Sequence, residues 1–181
     1  MILVASIWAS TNPQPDIYVA GDGQTAAVRG ADGRLSVLRS GRDTFAIKEW
    51  LAADGDPRAV GDKTLANGTT CDDIGCVARL RDGRLVAMSL AIDSFAEDCT
   101  RAAIVVSAHS APTEECQALL FDRDVLRGHG AVSLRIQGAH TEISQARPQG
   151  YQRPWAEPVR RSARQPTPEA TPALNQLEPG D

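Results

Sequence analysis

Apolar side chains along this chain come in short clusters separated by glycine- and aspartate-rich breaks, a pattern that favours hairpins over long helices. IYVA at 17–20 predicts a strand, GDGQ from Gly21 a tight turn, and TAAVRG a second strand. ADG at 31–33 then turns the chain into RLSVLRS. Asp-Gly between apolar runs is a strong hairpin signal, because both residues tolerate positive φ. The first forty residues therefore predict a three-stranded meander. The same solution returns fifty positions later: VRGADGRLSVL from Val28 aligns with ARLRDGRLVAM from Ala78, sharing Arg29/Arg79 and the tetrapeptide DGRL. Two copies with unlike flanks make a repeated hairpin, not a solenoid.

Between the hairpins, DTFAIKEWLAAD predicts a helix capped by Asp43 or Thr44, with Phe45, Ile47, Trp50 and Leu51 on its apolar face. DGDPRAVGDKTLANG reads as a polar loop. After the second hairpin, DSFAEDCTRA predicts a short helix with Asp93 or Ser94 as cap and Glu97 in its first turn. AAIVVSA at 102–108 is a continuous apolar run, as in a strand buried on both faces. CQALLFD predicts another strand, DRDVLRGHG a short helix closed by Gly130, and AVSLRI with HTEISQA a final hairpin. The expected fold class is α/β (α+β mixed): a hairpin-rich mixed sheet with a few short helices, in one domain over 16–156.

Both ends differ from this middle. Residues 1–15 open with the apolar ILVASIWA, too short to cross a bilayer's ~30 Å of hydrocarbon alone. The segment reads either as an amphipathic start or as the last turns of a transmembrane helix. Seven of the eleven prolines fall in the last thirty-four residues, where apolar side chains thin out. Tyr151 and Trp155 are expected to dock on the domain edge, and 157–181 to form a disordered tail.

Composition is that of a soluble globular chain, with 42% hydrophobic and 23% charged residues. A formal net charge of −4 provides no global field to attract nucleic acid, so any DNA contact requires a local basic surface. Arg29, Arg34, Arg79 and Arg84, with Arg39 and Arg81, supply such a stripe if the two hairpins are adjacent; ordinary solvent-facing arginines are the plainer alternative. The four cysteines, Cys71, Cys76, Cys99 and Cys116, permit three pairings. A local Cys71–Cys76 bridge across DDIG and a Cys99–Cys116 bridge fastening a helix to a strand would imply an oxidising space such as a periplasm. Four reduced thiols in a cytosolic domain are the alternative, and the spacings match no paired CxxC zinc site.

Catalytic and cofactor motifs are sparse. His109, His129 and His140 are far apart and form no HxH or HExxH element. His109, in VVSAHSAP, occupies a strand-end position where α/β sites often lie, and is the one weak metal-ligand candidate. His129 reads as a helix C-terminal residue and His140 as a turn residue. Ser107 and Ser110 flank His109 without a GxSxG elbow. GDGQ, GADG and GRDT match no nucleotide-binding loop, so no cofactor is expected. The carboxylate pairs Asp54/Asp56, Asp72/Asp73, Glu114/Glu115 and Asp122/Asp124 read as solvated turn and cap residues.

The order of segments carries one resemblance. DIYVAGDGQTAAVRGADGRLSVLRS, DTFAIKEWLAADGD, CDDIGC, ARLRDGRLVA, FAEDCTRAAIVVSA, LLFDRDVLRGHGAVSLR and RPQGYQRPW together resemble the C-terminal soluble region of alphaproteobacterial ComEC-family competence proteins, over roughly 9–156. These are inner-membrane channels that take up single-stranded DNA, and many carry a metallo-β-lactamase-like domain outside the cytoplasm. The resemblance implies a contracted lactamase-like fold on the periplasmic side, with the apolar start ending a membrane helix. The His-rich metal motif of such domains is missing, so no catalytic residue carries over. The implied function is a non-catalytic accessory domain whose partners are the channel's membrane portion and single-stranded DNA. The alternatives are a divergent metal-dependent nuclease or hydrolase using His109 with Asp122 and Asp124, and a vestigial fragment.

Overall fold

In a computed structural model, the described residues are 14–39, 41, 44–112, 116–138 and 140–148. The expectations for ILVASIWA, Asp43 as a cap, Glu114/Glu115, Tyr151, Trp155 and the tail at 157–181 lie outside them.

Both Asp-Gly turns close in the same way. Strands β1 (Ile17–Val19), β2 (Thr25–Arg29) and β3 (Leu35–Arg39) form an antiparallel meander, as do β4 (Thr69–Cys71), β5 (Gly75–Arg79) and β6 (Leu85–Ser89). In the first hairpin Gly30 N–H donates to the Arg34 carbonyl and Arg34 N–H to Asp32; in the second, Leu80 N–H donates to Arg84 and Arg84 N–H to Asp82. Gly33 and Gly83 take φ of 79° and 85°, a left-handed conformation that a side chain disfavours. Strands β2/β5 and β3/β6 are thus equivalent at a constant offset of fifty residues. Directly after the polar loop lies a strand the sequence reading lacked, β4, whose Thr-Thr-Cys is too short and polar to stand out.

The fold is mixed α/β, but its strands divide into two five-stranded sheets instead of one. The first is antiparallel, ordered β10-β9-β1-β2-β3, where β9 (Val132–Gln137) and β10 (His140–Gln145) are the last hairpin. His140 therefore opens a strand and is not a turn residue. The second sheet is ordered β4-β5-β6-β7-β8, and its strands β7 (Ile104–Ser107) and β8 (Leu119–Phe121) run parallel to β6. Stacking explains the division. All five residues of β2 are buried, so both faces of its sheet need cover. Ala26, Val28 and Leu38 of one meander join Cys76, Ala78 and Met88 of the other, the same positions fifty residues apart, in one core.

Helices seal the outer faces. Helix α1 (Phe45–Asp54) lays Ile47 and Leu51 beside Val37, and Trp50 stacks on Tyr18 with ring centroids 5.5 Å apart. Phe45, expected on the apolar face, is 68% exposed. Helix α2 (Phe95–Arg101) buries Phe95 and Cys99 against Ala87 and Val105 of the second sheet. Helix α3 (Arg123–His129) inserts Leu126 into the inter-sheet core. Cys71 pairs with Cys76 and Cys99 with Cys116, with sulfurs 2.07 and 2.04 Å apart. The first bridge closes the β4–β5 turn; the second ties α2 to the segment entering β8. No helix among the described residues is long and apolar enough to cross a membrane.

Candidate anion-binding cleft

The Asp-Gly turns lie together at one end of the stacked sheets: a Cβ at Gly33 would sit 3.7 Å from Arg81 Nη2. Adjacency of the hairpins thus holds, but the expected stripe is incomplete. Arg29 is 4% exposed and its guanidinium points inward. It donates to the carbonyls of Pro15 and Gly33 and makes a two-pronged pair with Asp54 at the end of α1. Burial disfavours its charge, yet the Asp54 bond raises its pKa overall. Arg29 is a structural arginine whose donors are taken up within the fold. The physical reason is that α1 covers this face of the first sheet and brings Asp54 onto it.

Arg79 makes the equivalent bond to the Gly83 carbonyl but remains exposed. Arg84 is paired with Asp82, and Arg34 is exposed beside the Asp32-capped turn. Arg58, which the sequence reading did not single out, donates to Asp56 and to the Leu35 carbonyl; that hydrogen bond from Arg58 holds the Asp56 carboxyl below the ordinary carboxylate range. Asp54 and Asp56 are therefore buried partners of arginines and not solvated turn residues; their side chains are 8% and 6% exposed.

The opposite end holds a cleft of about 910 Å³. Its walls come from the β1–β2 turn (Gly21, Asp22, Gln24), the ends of β6 and β7 (Ser89, Leu90, Ala108, His109), helix α3 (Arg123, Leu126, Arg127), and the segments flanking the last hairpin (Gly130, Ala131, Ala146, Arg147). Ligand sites in α/β sheets favour this location, beyond the carboxyl ends of parallel strands. Glycine builds one wall: Gly23 has φ of 71°, and a Cβ there would meet the Ser107 carbonyl oxygen at 2.4 Å. Only a bare backbone lets the β1–β2 turn close onto the end of β7.

Three arginines face one carboxylate in this lining. Arg123 and Arg127 stand one turn apart on α3, both exposed, and neither pairs with a carboxylate among the described residues. Arg147 crosses from β10 to donate to the Arg127 carbonyl, while its N–H donates to the carbonyl of His129, the last residue of α3. Asp22, the one acid, accepts from Gln24 N–H. An electropositive surface thus exists on a chain with an excess of acidic residues. The i,i+4 spacing of Arg123 and Arg127 in DRDVLRG was its available sign; nothing in the sequence places Arg147 beside them.

The other candidates settle into supporting roles. Asp122 is fully buried, accepts from the N–H groups of Asp124 and Val125 as the α3 cap, and accepts from Ala111 N–H at 3.0 Å. It is a pin between the β7 exit loop and α3, buried instead of solvated. Ser107 is also buried, donating to the Ser89 carbonyl and accepting from His109 N–H. His109 is exposed at the cleft lip, and its carbonyl receives Arg123 N–H. Among the described residues no three His, Cys, Asp or Glu side chains gather as a metal site.

Comparisons with protein-family models, curated sequences and solved structures return no match to this chain.

Proposed function

We propose that this domain is a non-catalytic accessory module of a ComEC-type DNA-uptake channel, placed on the periplasmic side of the inner membrane. It contacts single-stranded DNA through the arginine cleft, and its protein partner is the channel's membrane portion. The observation that carries the reading is the set of Arg123, Arg127 and Arg147 around one cleft whose described lining holds a single acidic residue, Asp22. Such a concentration of one charge in a concave site focuses the local field and attracts a polyanion despite an unfavourable total charge. The two disulfides support an oxidising compartment, where such bridges persist. The ComEC resemblance supplies the context of DNA import.

This reading moves the DNA contact from the hairpin arginines to the opposite end of the sheets. Fluorescence anisotropy of a labelled single strand, titrated with the oxidised full chain over a salt series, tests it. The expected result is binding that weakens steeply with salt, and at least a tenfold loss of affinity in the double variant R123E/R127E, with R34E/R79E near wild type. Equal loss in both double variants returns the contact to the hairpins; no binding at low salt removes DNA from the function.

A further inference from the structure

Resting on that reading, we infer that the cleft recognises the sugar-phosphate backbone of a single strand and is blind to its bases. Proteins that hold single strands by their bases stack them on aromatic rings, at about 1–3 kcal/mol per base. Among the described residues no Phe, Tyr or Trp lines the cleft, and its one ring is the imidazole of His109 at the lip. Tyr18 and Trp50 are stacked on each other, on the face of the first sheet covered by α1. Of the polar side chains suited to reading base edges, Asp22 is held by the Gln24 N–H, Gln24 is itself engaged and Ser89 donates to Asp98, which leaves His109 at the lip.

Guanidinium groups dominate what remains. Each presents five N–H donors in a planar fork that matches phosphate oxygens, and charge assistance strengthens the bonds. Arg123 and Arg127 are four positions apart on α3, about 6 Å along the helix axis, a separation suited to neighbouring phosphates of an extended strand.

The experiment compares four probes on the oxidised full chain: labelled oligo-dT, an abasic oligonucleotide of equal length, the dT·dA duplex, and oligo-dT with neutral methylphosphonate linkages. Backbone recognition predicts abasic binding within about twofold of oligo-dT, a duplex at least tenfold weaker, and no binding of the methylphosphonate strand. Three phosphate contacts also predict a slope of about −2 for log affinity against log salt, falling to about −1.4 in R127Q. An abasic strand weaker by about fivefold or more, the loss of even one stacked base, overturns the inference while leaving DNA binding intact. A duplex that binds as tightly as the single strand overturns the strand selectivity. If oligo-dT itself fails to bind, the DNA-contact reading falls and this inference falls with it.

Discussion

The two ends of the stacked sheets use arginine in opposite ways. At the hairpin end, Arg29 and Arg58 are drawn inward by Asp54 and Asp56, and their remaining donors bond main-chain carbonyls. At the cleft end, Arg123, Arg127 and Arg147 line open space whose described walls carry one acidic residue, Asp22. Sequence spacing does not separate the two sets, since Arg29 and Arg58 are 29 positions apart whereas Arg123 and Arg127 are four apart. What decides between the two fates is the position of carboxylates: an arginine within reach of a buried Asp fastens the fold, and one without such a partner keeps its charge available to a ligand.

Breaking the hairpin end has the largest expected effect. Arg29→Ala leaves Asp54 without its partner in a largely buried site and should cost about 3–5 kcal/mol in urea denaturation. DNA affinity per folded molecule should not change. Next comes the Cys99–Cys116 bridge, whose ends are 17 positions apart; replacing both with alanine should cost about 3 kcal/mol by loss of loop constraint. It should also loosen the 108–116 segment, read as faster amide exchange at Ala111.

Acid tests the hairpin end more gently. Because Arg58 holds the Asp56 carboxyl below its unfolded value, that pair stabilises the protein fully above the ordinary Asp pKa of about 3.9. The contribution disappears as pH falls below about 4, through the folded-state value. D56N should cost about 2 kcal/mol at neutral pH and flatten the acid limb of the stability–pH curve. The smallest stability effects belong to exposed arginines at both ends: R84A and R123Q should each stay within about 0.5 kcal/mol of wild type. Their binding should separate, with R123Q weakening DNA contact and R84A leaving it unchanged. A like loss in both would erase the proposed contrast between the two ends.

Local features were legible in the sequence. The two DGRL turns, the apolar run that became β7, and helices α1, α2 and α3 are governed by residues within a few positions of each other. Partition into two sheets was not legible, because it depends on β1 choosing β9 as its neighbour across nearly the whole domain. Alternation along a strand correctly made Arg29 and Arg79 equivalent, and both donate to the glycine carbonyl of their turn. It could not reveal that α1 brings Asp54 to one and that no counterpart reaches the other. The cleft was hidden for a similar reason, since its arginines come from a helix and from the segment just after β10, joined by a main-chain contact at Arg147. Asp122 shows the limit for single residues: its cap role was readable, but its bond to Ala111 N–H, which buries it, was not.

The pairing of Ile17 with Leu134 also sets a clock for synthesis. Hairpins β2–β3 and β5–β6 form in about 1–10 μs once their residues are free. Strand β1, buried along its whole length in the finished fold, has one neighbour early and gains the other only when β9 emerges more than a hundred residues later. At about 5–20 residues per second that interval is roughly 6–25 s. Through it the nascent chain presents Ile17, Tyr18 and Val19 along a bare sheet edge, the kind of surface on which unrelated strands pair. Chaperone protection during translation or export should therefore concentrate on this segment, and a ribosome stalled before β9 should release a chain that aggregates through it.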